Sequence, residues 1–292
     1  MPEVTRSAVP PGSSPPAPSP GSGLEGATAE PGLTRLAASS GRFVTRQRLI
    51  GLSVAVLLLS VWLVATVGGF VRPLFVPGPA DLARGFEQWG PSMADDIWQT
   101  VGMRIVPGFL IGGLLGLVTG IAMAMSDTFR AAADPIVEAV RPLPPLALIP
   151  LLILWFGIGI GTHVVMIAFG TFIVMVVTAY EAVRNVPPIY LQAAATLGAD
   201  RAQTFRRVIV PAIVPDIFGG VRVAVAASFG YAVAAELMGA QGGVGWFMVT
   251  SRRYLLTENI VAALIVIVVM AFLADQIVRW LNRRLTDWKP RA

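Results

Sequence analysis

Few residues of this chain could carry out chemistry. A phosphate-binding loop needs a lysine beside glycine and Ser or Thr, and the one lysine, Lys289, is followed by Pro290. The chain has no cysteine and a single histidine, so neither a thiol catalyst nor a Cys/His metal site is expected. We therefore expect no catalysis and no bound cofactor or metal, and any ATP hydrolysis that drives this chain should occur on another subunit.

Glu236 and His163 are the two titratable residues that stand out in apolar surroundings. A carboxylate facing lipid would cost a few kcal/mol, so Glu236 should face protein or water. One interpretation is that Glu236 lines a translocation path or pairs with a group on the outer side, and Arg104 is one possible partner. The other is that Glu236 lies close enough to the outer surface to be hydrated. A carboxylate is a poor ligand for an anion, which favours a structural role. His163 is either a substrate or proton ligand or an interfacial residue that shares a helix end with Thr162.

Composition places these residues in a membrane protein. The chain has 292 residues, 55% of them hydrophobic and 13% charged, with a mean hydropathy of +0.70, whereas soluble domains carry about 25% charged residues. The basic residues lie at the ends of apolar runs and form no single patch, which argues against nucleic-acid binding. Residues 1–41 contain eight prolines and few large apolar side chains, so we predict a disordered tail followed by a transmembrane domain over 42–292.

Six apolar stretches approach the roughly 20 residues that a transmembrane helix needs. They are 49–69, 104–125, 144–160, 163–180, 213–239 and 260–280. The third is short and contains Pro150, so it should kink or cross only in part. In the second, Gly112, Gly116 and Gly120 share one helical face, where small residues would let another helix approach closely.

Loop charges orient these helices. With a cytoplasmic N-terminus, 14 basic residues flank the inside and four lie outside, so the positive-inside rule places both termini in the cytoplasm. Trp89 and Trp98, in the outer loop 70–103, are candidate interfacial anchors, and Arg222 is expected to snorkel to the inner interface.

The strongest motif is the sequence QAAATLGADRAQTFRRVIVP at 192–211, within an inner loop over about 184–211. Helix-forming residues interrupted by Gly198 predict a helix, a turn and a short helix. The motif resembles the EAA loop of binding-protein-dependent ABC importer permeases, which has Glu-Ala-Ala, then Gly, then Ile-x-Leu-Pro. Gln192 stands in place of the family's glutamate, and Val208 and Val210 stand in place of its isoleucine and leucine. The alternative interpretation of 192–211 is a solvated amphipathic linker with no partner.

In that family the loop forms a coupling helix that docks on an ATP-binding subunit. Small alanines allow close packing, a glycine supplies the turn, and the arginines could pair with acids on the partner. The resemblance implies the following coupling residues: Gln192, Ala193, Ala194, Gly198, Ala199, Arg201, Arg206, Arg207 and Pro211.

Further resemblance covers nearly all of 48–289, through the stretches 138–159, 219–230 and 234–248. They are similar to the taurine, alkanesulfonate and nitrate branch of these permeases, and taurine permeases look most similar. The resemblance implies an all-α, six-helix type I importer permease that forms a homodimer in the bacterial cytoplasmic membrane. Its partners would be two ATP-binding subunits, which hold ATP and Mg²⁺, and an extracytoplasmic substrate-binding protein.

The substrate implied by this resemblance is a small organic anion, taurine or another alkanesulfonate, with nitrate or a small heterocyclic precursor as alternatives. Two other classes of protein remain as rivals. One is a secondary transporter or channel that needs no ATPase, and the other is a membrane scaffold that transports nothing. Neither rival accounts for the spacing of 192–211.

Overall fold

The structure, a computed structural model, describes residues 32–286, with side chains from residue 50 onward, and every regular element in that range is helical. The all-α prediction is therefore confirmed. Residues 1–31 of the predicted tail lie outside the described residues, whereas residues 32–41 belong to the first helix. The chain divides into two compact units, one up to Leu58 and one from Leu59 onward.

The helices are, in chain order, α1 (Gly32–Val67), α2 (Pro79–Ile97), a π-helical turn (Trp98–Ile105), α3 (Val106–Met125), α4 (Asp127–Val140), a 3₁₀ turn (Pro145–Leu148), α5 (Ile149–Phe156), α6 (Ile160–Arg184), α7 (Pro188–Thr196), α8 (Arg201–Thr204), a second π-helical turn (Phe205–Ile209), α9 (Val210–Gly239), α10 (Val244–Arg253) and α11 (Thr257–Leu285). We call the end of the second unit that carries residues 185–204 its inner end. The end that carries residues 240–256 is its outer end.

The glycines of α3 pack directly on the backbone of α6. Three of them face carbonyl oxygens at the same four-residue spacing: Gly112 faces Ala168, Gly116 faces Phe172 and Gly120 faces Val176. A Cβ atom at Gly116 would lie 2.6 Å from the Phe172 oxygen, so only glycine permits this approach. The predicted small-residue face is confirmed. Because both series advance in the same direction, α3 and α6 run parallel.

Two parallel helices require the chain to return across the membrane between them. The return segment is α4 followed by the 3₁₀ turn and α5, which are bent against each other by 84°. Val137 of α4 packs near the inner end of α6, whereas Ile158 lies 3.6 Å from the Cβ position of Gly239 at the outer end. α5 has 8 residues, about 12 Å of helix, so the predicted third span 144–160 is the second half of a broken crossing.

With that broken crossing, the described residues contain six candidate membrane spans. The other five lie at Ile50–Val67, Pro79–Met125, Ile160–Arg184, Arg201–Gly239 and Thr257–Leu285. Pro79–Met125 and Arg201–Gly239 are longer than the predicted 104–125 and 213–239, because each continues through a π-helical turn.

Each π-helical turn comes just before a proline. Pro107 follows the turn that ends at Ile105, and Pro211 follows the turn that ends at Ile209. Proline lacks an N–H and clashes with the carbonyl four residues earlier, and the wider π turn accommodates both defects. Pro211, which we expected to bracket the inner loop, therefore lies inside a continuous helix that begins at Arg201.

α9 packs antiparallel to α6, with the Thr171 and Ser228 hydroxyl oxygens 3.3 Å apart in the core. α11 also packs on α9, where the Nε atom of Arg222 donates to Asp275 at 2.7 Å. Arg222 therefore belongs to an ion pair between helices, and snorkelling alone does not describe it.

Candidate transport and coupling sites

Glu236 of α9 is 1% exposed, and both of its carboxylate oxygens accept hydrogen bonds. Oε1 accepts from Arg104 at 2.7 Å and from the Thr100 hydroxyl at 2.8 Å. Oε2 accepts from the backbone N–H of Gly245 at 2.7 Å. The predicted pairing of Glu236 with Arg104 is confirmed, and the alternative of a hydrated surface carboxylate is wrong.

This ion pair is part of a larger buried network along α2 and the π-helical turn that follows it. The Thr100 hydroxyl accepts from the N–H of Val244, and Asp96 accepts from the N–H of Gly243, each at 2.9 Å. Asp96 also accepts from the Trp89 indole N–H at 2.9 Å. Since Asp96, Thr100 and Arg104 are four residues apart, they lie on one helical face. The sequence reasoning missed Asp96 and Thr100, although this spacing is a signal that could have identified them.

Trp89 is fully buried, so its prediction as an interfacial anchor is wrong. Its ring stacks on Phe247 of α10, with the ring centroids 4.6 Å apart. Trp98 is exposed, as an interfacial residue would be. The contacts of Trp89 thus join α2 to α10 at the outer end.

Glycines let the turn before α10 approach Glu236 closely. Gly243 has a φ of 104°, which favours glycine, and a Cβ atom there would lie 2.7 Å from Glu236 Oε1. A Cβ atom at Gly245 would lie 2.7 Å from the Cβ of Glu236. Gly243 and Gly245 are therefore required by the fit of this turn over the carboxylate.

Beside the network lies a cavity of about 280 Å³, which we call the outer cavity. It is lined by Gln99, Arg104, Ile158, Gly159, Ile160, His163, Gly239, Ala240 and Gln241. His163 is 3% exposed, and its Nδ1 atom has no hydrogen-bond partner among the described residues. His163 shares the start of α6 with Thr162, as predicted, but its side chain is buried within the protein; its role as a ligand stays a prediction.

The inner loop forms the predicted helix and turn, but the predicted short helix is the first part of the long helix that runs from Arg201 to Gly239. α7 ends in a Schellman motif, in which the N–H of Ala199 donates to Ala194 and the N–H of Gly198 donates to Ala195, each at 3.0 Å. Gly198 has a φ of 75°, a left-handed conformation that glycine adopts without strain. We call residues 185–204 the loop arm.

A capping box then starts α8. The Asp200 carboxylate accepts from the N–H of Gln203 at 2.7 Å, and the Gln203 side chain accepts from the N–H of Asp200 at 3.2 Å. The sequence reasoning missed Asp200, although an Asp three residues before a Gln at a helix start is the recognisable pattern.

Most of the predicted coupling residues lie on the surface of the loop arm and the first turns after it. The exposed ones are Gln192, Ala193, Gly198, Arg201, Arg206 and Arg207, whereas Ala199 and Pro211 are half-buried. Ala194 is buried. None of the three arginines forms an ion pair with a described residue, so their charges are available to a partner.

The described residues contain no cluster of His, Cys, Asp and Glu that could hold a metal ion. What they do contain is a polar network and cavity at one end, an exposed helical loop at the other, and apolar helices between them. This is the arrangement of a multi-pass membrane transport subunit. The family model "Binding-protein-dependent transport system inner membrane component" matches residues 112–287, and the chain belongs to this family of ABC importer permeases.

Among its relatives is the taurine transport system permease protein TauC of Escherichia coli (strain K12). The two are 35% identical over 251 residues, which cover 84% of this chain and 91% of TauC. The putative aliphatic sulfonates transport permease protein SsuC of Bacillus subtilis (strain 168) is 30% identical over 242 residues, 82% of this chain and 87% of SsuC.

Solved structures share the fold. An inward-facing MetNI methionine ABC transporter chain aligns with a TM-score of 0.58 and 21% identity, covering 67% of this chain and 98% of that chain. A chain of a bacterial alginate ABC transporter aligns with a TM-score of 0.55 and 14% identity, covering 84% of this chain and 97% of that chain. The predicted type I importer permease fold is confirmed.

Proposed function

We propose that this chain is the permease of an ATP-driven importer for taurine or another alkanesulfonate in the bacterial cytoplasmic membrane. Two copies would form the path, two separate ATP-binding subunits would hold ATP and Mg²⁺, and an extracytoplasmic binding protein would deliver the substrate. The substrate class comes from the names of the taurine and aliphatic sulfonate permeases that share about a third of its sequence.

The observation that carries the ATPase partnership is the exposed surface of the loop arm. Ile189, Tyr190 and Leu197 are all more than half exposed, and Leu197 reaches 86%. Large apolar side chains that are exposed on a cytoplasmic loop fit a surface that a partner protein covers. The charge count that places this end in the cytoplasm supports an ATP-binding subunit as the partner.

The remaining surface of the arm fits a docked protein better than a lipid surface. Arg201 of the arm is exposed, as are Arg206 and Arg207 in the turn that follows it. Exposed apolar side chains together with exposed basic residues match a partner that offers both a hydrophobic cleft and acidic groups. The capping box and the Schellman motif hold the arm in one shape, which lowers the entropy cost of docking.

The proposal is tested by reconstituting the permease in proteoliposomes with its ATP-binding subunit and binding protein. We expect uptake of radiolabelled taurine or ethanesulfonate that requires internal ATP and the loaded binding protein. Nitrate and a sulfur-free heterocycle serve as matched competitors. Uptake without the ATP-binding subunit would establish a secondary transporter, and uptake of nitrate with no effect of sulfonates would refute the substrate class.

A further inference from the structure

We propose that the outer cavity binds the anionic group of the transported substrate on this chain itself. The inference rests on the proposed function, since it takes the ligand class from the transported sulfonate. It adds a substrate site, formed by Arg104, His163 and the start of α6, next to the buried network.

The start of α6 supplies hydrogen-bond donors to the cavity. Ile158, Gly159 and Ile160 line it, and α6 is a 25-residue helix that begins at Ile160. Its first N–H groups have no partner within the helix, and Gly159 offers no side-chain cap. The Thr162 hydroxyl donates back to the Gly157 carbonyl, so it caps nothing either. An uncapped helix start favours an anion through its N–H groups and its dipole.

Two buried side chains on the cavity wall provide the second, independent observation. Arg104 and His163 are each 3% exposed, and the Arg104 Nε and His163 Nδ1 atoms have no hydrogen-bond partner among the described residues. Buried polar atoms in proteins are nearly always hydrogen-bonded. A ligand with several acceptor oxygens would accept from the guanidinium, and the imidazole can donate or accept.

The two buried carboxylates nearby, Glu236 and Asp96, are both hydrogen-bonded to other residues. Glu236 accepts hydrogen bonds from Arg104, Thr100 and Gly245. Asp96 accepts from Trp89 and Gly243, and the described residues that line the cavity include no carboxylate. An anion entering the cavity would therefore meet the Arg104 guanidinium and no carboxylate on the cavity wall, and the Arg104–Glu236 pair would keep the guanidinium in place.

The size and walls of the cavity fit a small organic anion. Its volume of about 280 Å³ lies just below the range of about 300–1,000 Å³ that drug-sized ligands occupy. Ile158 and Ile160 would contact a short alkyl chain, while the side-chain amides of Gln99 and Gln241 supply further polar groups. Gln241 is exposed, so the cavity opens to solvent on its side.

The test uses the permease–ATPase complex in nanodiscs without the binding protein, and radiolabelled taurine as the probe. Two substitutions, Gln99→Glu and Gln241→Glu, place a carboxylate in the cavity with almost no change in shape. The matched control is Gln88→Glu, because Gln88 is exposed on α2 and does not line the cavity. All three variants leave the Arg104–Glu236 pair intact.

We expect saturable taurine binding that ethanesulfonate displaces and ethylammonium does not. Each cavity variant should bind at least about tenfold more weakly, because a like charge a few ångströms away is strongly repulsive in a partly desolvated site. The control should bind as the wild type does. Equal affinities for all four proteins, or no saturable binding in a complex that still imports taurine, would overturn the site and leave the proposed function intact.

A different result would be that the complex imports no sulfonate but still binds methanesulfonate, and that the two cavity variants bind it more weakly. That result would support the anion site and refute the proposed transport of sulfonates. His163→Gln provides a further measurement, since glutamine keeps a donor and an acceptor. It should change the ranking of taurine, ethanesulfonate and nitrate as competitors, whereas a purely structural histidine would leave that ranking unchanged.

Discussion

Replacing Gly198 changes the loop arm through the backbone alone. A Cβ atom added at this position meets nothing within 4 Å, and φ is 75°. An L-residue in this left-handed conformation costs about 1–2 kcal/mol, and a β-branched residue costs more because it rarely adopts positive φ. Gly198→Val therefore strains the turn without creating a clash.

The arm can relieve this strain only by leaving the Schellman geometry. That change breaks the two hydrogen bonds from Gly198 and Ala199 that close the end of α7. A penalty of about 2 kcal/mol lowers the population of the docking-competent arm by a factor of up to about 30. We expect Gly198→Val to insert normally but to lose most of its substrate-stimulated ATPase activity and its association with the ATP-binding subunit.

Two further substitutions at Gly198 make the series quantitative. Gly198→Asn should retain most coupling, because asparagine tolerates the left-handed region, and Gly198→Ala should fall between the two. The measurements are binding-protein-stimulated ATPase activity in proteoliposomes and co-purification of the two subunits. Normal stimulation in the valine variant, or equal losses for asparagine and valine, would refute the reasoning.

Three other predictions concern the helical body. Arg104→Met leaves Glu236 as an unpaired buried charge and should lower the free energy of unfolding by about 3–5 kcal/mol. The double variant Arg104→Met/Glu236→Gln should recover part of that loss, as measured by thermal unfolding. Additive losses from the two substitutions would contradict this prediction. Gly116→Val should prevent α3 from packing on α6 and abolish expression of monodisperse protein. The control Gly113→Ala should behave as the wild type, because a Cβ atom there has its nearest neighbour at 3.7 Å. Equal yields of the two variants would show that the close packing is not required. Trp89→Phe removes the indole N–H that donates to Asp96 and should lower the free energy of unfolding by about 1–3 kcal/mol, again measured by thermal unfolding. An unchanged unfolding temperature would mean that the stacking of the ring on Phe247, and not the hydrogen bond, holds α10.

The sequence predicted those features that depend on local pattern. Apolar length identified the spans, glycine spacing identified the face of α3 that meets α6, and Gly198 identified the turn in the loop arm. The pairing of Arg104 with Glu236 followed from the cost of a carboxylate in lipid together with the position of the nearest cation on the same side.

Features that depend on three-dimensional context could not be predicted in this way. Whether Trp89 is buried or interfacial depends on Phe247, which is distant in sequence, so an aromatic residue in an outer loop was misassigned. The inner loop was predicted to extend to Pro211, because the widening of the helix before this proline leaves no simple sequence pattern. The outer cavity forms where three separated segments meet, and no one of them indicates it.

The second π-helical turn joins α8 to α9, so that one continuous helix connects the loop arm to the outer end. From Arg201 to Gly239 the backbone is one helix of 39 residues, about 58 Å long. One end belongs to the loop arm and the other borders Glu236 and the outer cavity. A movement of the loop arm would therefore be transmitted to the outer end through this one helix. The π-helical turn beside Pro211 is the position at which the helix would bend.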